Sequence, residues 1–134
     1  MNTAAAQGRS YIAAKQVFDD TCAVPRVLEY IASKWAILII YALSQDTKRY
    51  SQLQQQIKGI SPKMLIQNLR KLEAAGLVLR VVYPVVPPQV EYSLTPLGET
   101  LVDPLAMLCE WAIDHIHELE ASGKDDGNNA NIEL

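Results

Sequence analysis

The sequence predicts one domain that is mainly α-helical and carries a single β-hairpin. Three observations indicate this fold class: apolar residues at helical spacing between residues 25 and 44, two Ser/Thr-Pro pairs suited to opening helices, and two β-rich segments joined by a loop with three prolines. The chain has 134 residues, of which 49% are hydrophobic, and this is enough to bury a core. The two cysteines are too few for the disulfide framework of a small secreted protein.

The first periodic segment predicts one continuous helix from about Pro25 to Ser44, with one face in the core. The apolar residues of that face are Val27, Leu28, Ile31, Trp35, Leu38, Ile39 and Ala42. The longest apolar run, Trp35 to Leu43, has nine residues, far fewer than the roughly 20 of a membrane-spanning helix. Since the N-terminus also lacks the apolar core of a signal peptide, we expect a cytoplasmic protein with no membrane partner.

Two further helices are predicted with a short turn between them. The stretch "RYSQLQQQIKGI" predicts a helix of about two turns that begins near Tyr50 or Ser51, with Gly59 as its C-terminal stop. Ser61 as N-cap and Pro62 as the first helical residue then open a helix that ends at Gly76.

A helical wheel divides this third helix into two faces. Leu65, Leu69 and Leu72 fall within about 40° of one another and are predicted to face the core. The opposite face holds the polar, basic and small residues Lys63, Gln67, Arg70 and Ala74, with Met64 and Lys71 beside them. Lys, Gln and Arg hydrogen-bond to base edges and phosphates, so this face is suited to nucleic acid.

A β-hairpin follows directly. The segments "LVLRVVY" and "QVEYSL" are rich in β-branched and aromatic residues and predict two strands, while "PVVPP" predicts a stiff, extended loop between them. A short helix, a turn, a helix with a basic face and a hairpin together form a winged helix-turn-helix, whose second helix enters the DNA major groove.

The C-terminal part predicts a long helix followed by a tail. Thr95 as N-cap and Pro96 open the helix, and Pro104 is expected to bend or interrupt it. Its apolar stripe consists of Leu97, Leu101, Leu105, Leu108, Ala112, Ile116 and Leu119. We expect an N-terminal arm or helix over residues 1–21, the folded domain over 22–120 and a disordered acidic tail over 121–134.

Charge is unevenly distributed along the chain. The formal net charge is −3, yet residues 26–80 carry nine basic and three acidic side chains, and residues 81–134 carry one basic and ten acidic ones. The middle segment therefore has a net charge of +6 and the final segment −9. A basic middle joined to an acidic end favours contact with nucleic acid through the middle.

The motifs "GISPKML", "LRKLEAAGLV" and "VPPQVEYSLTPLG", followed by a late Trp, resemble the HxlR-type winged helix-turn-helix regulators of bacteria, relatives of the MarR group. The resemblance extends over residues 22–111. It implies a homodimer joined through its N- and C-terminal helices, with the "SPKMLIQNLRKLE" helix in the major groove and the hairpin beside the minor groove or backbone. It also implies a transcriptional regulator, which we expect to be a repressor, and double-stranded DNA with a pseudo-palindromic operator as its partner.

The resemblance suggests roles for particular side chains. Lys63, Met64 and Gln67 are the best placed for base edges, and Ser61 can cap the helix and reach a phosphate. The remaining candidate DNA-binding residues are Asn68, Arg70 and Lys71 on the same helix, Lys48, Arg49 and Ser51 from the helix before it, and Arg80 and Gln89 at the hairpin. The loop between Val81 and Gln89 has no Lys or Arg, so we expect it to contribute shape and a few hydrogen bonds.

Both cysteines are candidates for redox sensing. Regulators of the HxlR type commonly carry a cysteine at the place of Cys22, and some of them sense oxidants, quinones or aldehydes with it; here Ala23 and Val24 stand where Pro usually follows. The nearby helix N-terminus and Arg26 favour a thiolate at Cys22. An oxidant or electrophile is then the effector, and an intersubunit disulfide with Cys109 is one outcome. The alternative is that each cysteine is a small buried apolar residue.

Other functions stay open at this stage. Asp114 with His117 or Glu118 could bind a metal ion in a sensor, whereas His115 and His117 lie about 200° apart on a helix and cannot share one. A small-molecule sensor or a winged helix that binds an acidic protein are further alternatives. The sequence has no phosphate-binding glycine loop and no nucleophile elbow, so we predict neither an enzyme nor a cofactor.

Overall fold

The computed structural model describes residues 3–15 and 23–127 of the chain, as seven helices and three short strands. The elements are α1 (Thr3–Lys15), α2 (Ala23–Ile31), α3 (Lys34–Gln45), β1 (Lys48–Arg49), α4 (Tyr50–Gln56), α5 (Pro62–Ala74), β2 (Val78–Tyr83), β3 (Gln89–Leu94), α6 (Pro96–Glu99) and α7 (Val102–Gly127). The prediction of a mainly helical fold with a β-hairpin is confirmed.

The prediction of one continuous helix over residues 25–44 is wrong. The segment forms α2 and α3, which are separated at Ala32 and Ser33 and bent by 81°. Ser33 begins the second helix as its N-cap, because its Oγ accepts a hydrogen bond of 3.2 Å from the Trp35 N–H. Apolar spacing runs through the break, so periodicity alone did not reveal it.

No single helix within residues 3–15 and 23–127 is long and apolar enough to cross a membrane. The bent pair α2 and α3 meets the requirement of length and composition when the two helices are taken together. Most of the apolar side chains of α3 are nevertheless packed in the protein core.

The core lies between α3, α5 and the sheet. Its six largest side chains without appreciable exposure are Ile39, Ile40, Leu53, Leu65, Leu69 and Leu72. Tyr92 of β3 and Leu105 of α7 close the core on two further sides. This arrangement fixes α5 through its three leucines and leaves its other face outward.

The turn between α4 and α5 follows the predicted chemistry. Ser61 is the N-cap of α5, since its Oγ accepts a hydrogen bond of 3.1 Å from the Met64 N–H, and Pro62 is the first helical residue. Gly59 and Gly76 have φ of 86° and 79°, a left-handed conformation that is costly for other residues. Gly76 directly follows the C-cap of α5, as predicted, whereas α4 already ends at Gln56, three residues before Gly59.

The sheet has three antiparallel strands in the order β1-β3-β2. The hairpin register runs from Val78 opposite Leu94 to Tyr83 opposite Gln89. The third strand, β1, was not predicted: Lys48 and Arg49 pair with Tyr92 and Glu91 instead of lying on a helix. Two residues are too few to show the alternation that identifies a strand.

The predicted C-terminal helix is divided. Thr95 caps α6, since its Oγ1 accepts a hydrogen bond of 3.0 Å from the Gly98 N–H, but α6 ends at Glu99 and α7 starts at Val102. The break thus precedes Pro104, which lies in the first turn of α7, where a missing N–H has little cost.

Helix α7 continues to Gly127, so the predicted boundary at residue 120 does not coincide with the end of the helix. Residues 128–134, at the end of the predicted tail, lie outside the described residues. Residues 1–2 and 16–22, most of which belong to the predicted N-terminal arm, lie outside them as well, and the arm's helix α1 covers Thr3–Lys15.

Candidate nucleic-acid interface

The outward face of α5 presents the predicted polar and basic side chains. Lys63, Gln67, Arg70 and Lys71 are exposed, whereas Leu65, Leu69 and Leu72 on the other side are at most 1% exposed. Ser61 is exposed at the start of the helix. Met64 is half-buried and packs partly against the core, so only part of its side chain is open to a base edge.

Asn68 is the exception among the candidates on α5. It is only 5% exposed, and its Nδ2 donates a hydrogen bond of 2.8 Å to the Met64 carbonyl oxygen. This burial and bonding leave Asn68 less open to DNA than the other candidates on α5, and its contact with DNA stays a prediction. Asn68 lies about 60° from Leu65 on the helical wheel, close enough to the leucine stripe to be covered when the core forms.

The candidates that precede α5 lie next to the sheet. Lys48 is half-buried on β1, and Arg49 and Ser51 are exposed at the junction of β1 and α4. The Arg49 N–H donates a hydrogen bond of 2.8 Å to Gln52 Oε1, which fixes the start of α4. Pairing of β1 with β3 thus places these cations beside the wing, the hairpin formed by β2, β3 and their loop.

The wing has little charge of its own. Its loop, residues 84–88, is exposed throughout, and the Val86 side chain is fully exposed. Arg80 is exposed on β2 and Gln89 is half-buried at the start of β3. The Tyr83 hydroxyl donates a hydrogen bond of 3.1 Å to Glu91 Oε2, and this bond raises the pKa of Tyr83 above its usual value.

A cleft of about 340 Å³ lies between α5 and the sheet, at the edge of the core that they share. It is lined by Ile66, Leu69, Arg70 and Glu73 of α5, Arg80 of β2 and Tyr92 of β3. Within the described ranges, no ion pair or side-chain hydrogen bond engages Lys63, Arg70, Lys71 or Arg80. The positive charges of this surface are therefore available to a polyanion.

The two cysteines are not seen together. Cys22 lies outside the described residues, and Cys109 is a half-buried free thiol on α7. Cys109 lies near Tyr41, whose hydroxyl donates a hydrogen bond of 2.6 Å to the Leu105 carbonyl oxygen. Burial raises the pKa of Tyr41, and Cys109 adds a smaller effect in the same direction.

The metal alternative gains no support from α7. Among residues 3–15 and 23–127, no three His, Cys, Asp or Glu side chains are grouped so that they could hold a metal ion. The His115 ring stacks on Trp111 with centroids 4.7 Å apart, and its Nδ1 lies 2.9 Å from the Trp111 carbonyl oxygen.

Comparison with known proteins gives a consistent result. The family model for the HxlR-like helix-turn-helix matches residues 30–120. YtfH of Escherichia coli, an HTH-type transcriptional regulator, is 47% identical over 95 residues, which are 71% of this chain and 75% of that protein.

Solved structures that are similar in both fold and sequence include the following two. YtfH from Salmonella typhimurium, classed as a transcriptional regulator, has a TM-score of 0.71 and 44% identity and covers 81% of this chain and 96% of its own. The redox regulator HypR in its oxidized form has a TM-score of 0.66 and 39% identity and covers 69% of this chain and 96% of its own. These matches show that the chain belongs to the HxlR-like helix-turn-helix family and is a DNA-binding transcriptional regulator, not an enzyme.

Proposed function

We propose that the protein is a homodimeric repressor that binds a pseudo-palindromic operator and responds to oxidants or electrophiles. The observation that carries the DNA-binding part is the exposed face of α5, where Lys63, Gln67 and Arg70 point away from a core that holds the opposite face rigidly. A gel shift with the promoter DNA that adjoins its own gene tests the proposal first. Equal binding of this promoter and of random DNA would contradict it.

Exposed apolar side chains support the homodimer. On α7, Met107 is 71% exposed, Trp111 49% and Leu119 50%, and Tyr11 of α1 is 64% exposed. Large exposed apolar side chains concentrated on one helix, as on α7, are typical of an interaction site in a soluble protein. Because α7 also holds most of the acidic residues of the folded part, a dimer built on it keeps that negative charge away from α5.

Two substitutions on α5 separate base readout from backbone contact. Gln67→Ala is expected to weaken operator binding by about 1 to 3 kcal/mol and to relax sequence preference, because a side chain that pairs with a base edge is lost. Arg70→Ala is expected to lower the affinity for operator and random DNA alike and to reduce the dependence on salt, because a phosphate contact is lost. Titrations of both variants against both duplexes at several salt concentrations measure this. A Gln67→Ala variant that retains full sequence preference would contradict the assignment.

Similarity to the redox regulator HypR supports an oxidant response. We propose Cys22 as the sensing thiol, which forms a disulfide with Cys109 of the second subunit when an oxidant such as the azo compound diamide is present. The two thiols together lose two electrons and two protons, which reduce the N=N bond of diamide to the hydrazine. Cys109 is half-buried on α7, next to the apolar surface assigned to the dimer.

Diamide treatment is therefore expected to produce a dimer on non-reducing gels and to change operator affinity. Cys22→Ser and Cys109→Ser should each abolish the crosslinked band, and reduction with dithiothreitol should restore the untreated affinity. A treated wild-type protein that runs as a monomer and binds operator unchanged would refute the sensing role.

A further inference from the structure

We propose that the cleft between α5 and the wing binds one DNA phosphodiester, held by Arg70, Arg80 and the Tyr92 hydroxyl. The inference rests on the proposed DNA-binding function and adds a specific phosphate site to it. It assigns a role to Tyr92, which is not among the DNA-binding candidates that the sequence predicts.

Tyr92 is the least expected polar group in the cleft. Its side chain is 5% exposed, and its hydroxyl has no hydrogen-bond partner within residues 3–15 and 23–127. In this part of the molecule, every side-chain oxygen or nitrogen that is fully buried has a hydrogen-bond partner. Because the Tyr92 hydroxyl has none, it is in contact with solvent. Tyr92 lines the cleft, and the proposal assigns its hydroxyl to the cleft as an unused donor. A buried phenol with a free donor is suited to a fixed acceptor such as a phosphate oxygen.

The two guanidinium groups lie on opposite walls. Arg70 projects from α5, and Arg80 stands opposite Tyr92 in the hairpin register, so the two residues share one face of the sheet. This face is turned towards α5, because Val78 and Leu94 on the same side pack in or against the core. A planar guanidinium binds two phosphate oxygens at once, which makes arginine the preferred residue for such a site.

Glu73 decides which kind of phosphate the cleft prefers. Two guanidinium groups and one carboxylate line the cleft and give it a formal charge of +1. A phosphodiester carries one negative charge and matches this value, whereas a free phosphate near neutral pH carries nearly two. The charge balance therefore favours the backbone of DNA over a phosphomonoester.

The position of the cleft agrees with the proposed binding mode. Helix α5 presents Lys63 and Gln67 for the major groove, and the wing lies on the other side of the cleft. The sugar-phosphate backbone that separates the major groove from the minor groove then lies between these two elements. Because the wing loop lacks cations, the cleft is where the wing side of the interface gains its phosphate contact.

Tyr92→Phe tests the hydroxyl, because phenylalanine keeps the buried ring. We expect operator and random duplex to bind about 10-fold more weakly, with an unchanged melting temperature. Tyr30→Phe, at an exposed tyrosine on α2, is the matched control and should bind as the wild type does. Arg80→Ala, at an exposed position that cannot disturb the core, should reduce affinity about 10-fold and lower the salt slope by about one.

Single methylphosphonate substitutions in the operator identify the DNA atom involved. Replacing one phosphate in each half-site by the neutral analogue should weaken wild-type binding about 10-fold. The same replacement should have little further effect on Tyr92→Phe or Arg80→Ala, since their contact to that phosphate is already lost. Glu73→Gln should raise the affinity for any duplex about 3-fold, while Glu99→Gln on α6 should not.

The outcomes separate the cleft from the general function. If wild type binds operator but Tyr92→Phe and Arg80→Ala bind equally well, or if no methylphosphonate position couples to them, the phosphate site is refuted and DNA binding stands. If the wild type binds the operator no more tightly than random DNA, the proposed function itself fails.

Discussion

Trp111→Glu is expected to separate the proposed dimer and to lower operator affinity by about 100-fold or more. The indole is 49% exposed in the single chain and stacks on His115 at 4.7 Å, within the apolar surface of α7. A carboxylate there must be dehydrated when two copies associate, which opposes dimerisation. Once monomeric, each subunit binds one half-site and loses the gain in effective concentration that comes from linking two sites.

Analytical ultracentrifugation and operator titration measure the two effects of Trp111→Glu together. His117→Glu is the matched control, because it adds the same charge to the same helix at an exposed polar position. We expect this control to remain dimeric and to bind operator normally. If Trp111→Glu remains dimeric at the same protein concentrations as the wild type, the assignment of α7 to the dimer interface is wrong.

Leu65→Ala is expected to destabilise the domain by about 2 to 5 kcal/mol, a large part of the 5 to 15 kcal/mol that holds a typical domain together. Leu65 is one of three leucines that anchor α5, and it has 0% exposure. Removing its side chain leaves a cavity directly beneath the face that we assign to DNA. Operator affinity should therefore fall together with stability.

Urea unfolding followed by circular dichroism measures the loss in Leu65→Ala. Leu79→Ala is the control, since Leu79 lies on β2 with 51% exposure and should cost less than 1 kcal/mol. Comparable losses in the two variants would show that the core does not depend on the leucine stripe of α5.

Local chemistry explains which predictions succeeded. The Ser61-Pro62 and Thr95-Pro96 pairs each begin a helix, and Gly59 and Gly76 adopt the left-handed conformation near the ends of α4 and α5. These features act within a few residues, so the sequence contains all that is needed to recognise them.

Predictions that failed involve contacts between distant segments or breaks within a periodic pattern. Strand β1 exists because Lys48 and Arg49 pair with β3, more than 40 residues further along the chain. The break at Ser33 interrupts a pattern that is apolar on both sides. The break between α6 and α7 precedes Pro104, which lies in the first turn of α7 and does not interrupt it. None of these positions is marked by composition.

The sequence by itself determined the winged helix-turn-helix, the orientation of α5 and the segregation of basic and acidic residues, because apolar periodicity and capping residues act locally. Only the tertiary structure decided that Asn68 is covered, that Lys48 and Arg49 join the sheet, and that Tyr92 and Arg80 face Arg70 across a cleft. Each of these depends on how far a side chain lies from a packed neighbour in space, and that distance is set only when the helix and the sheet pack together.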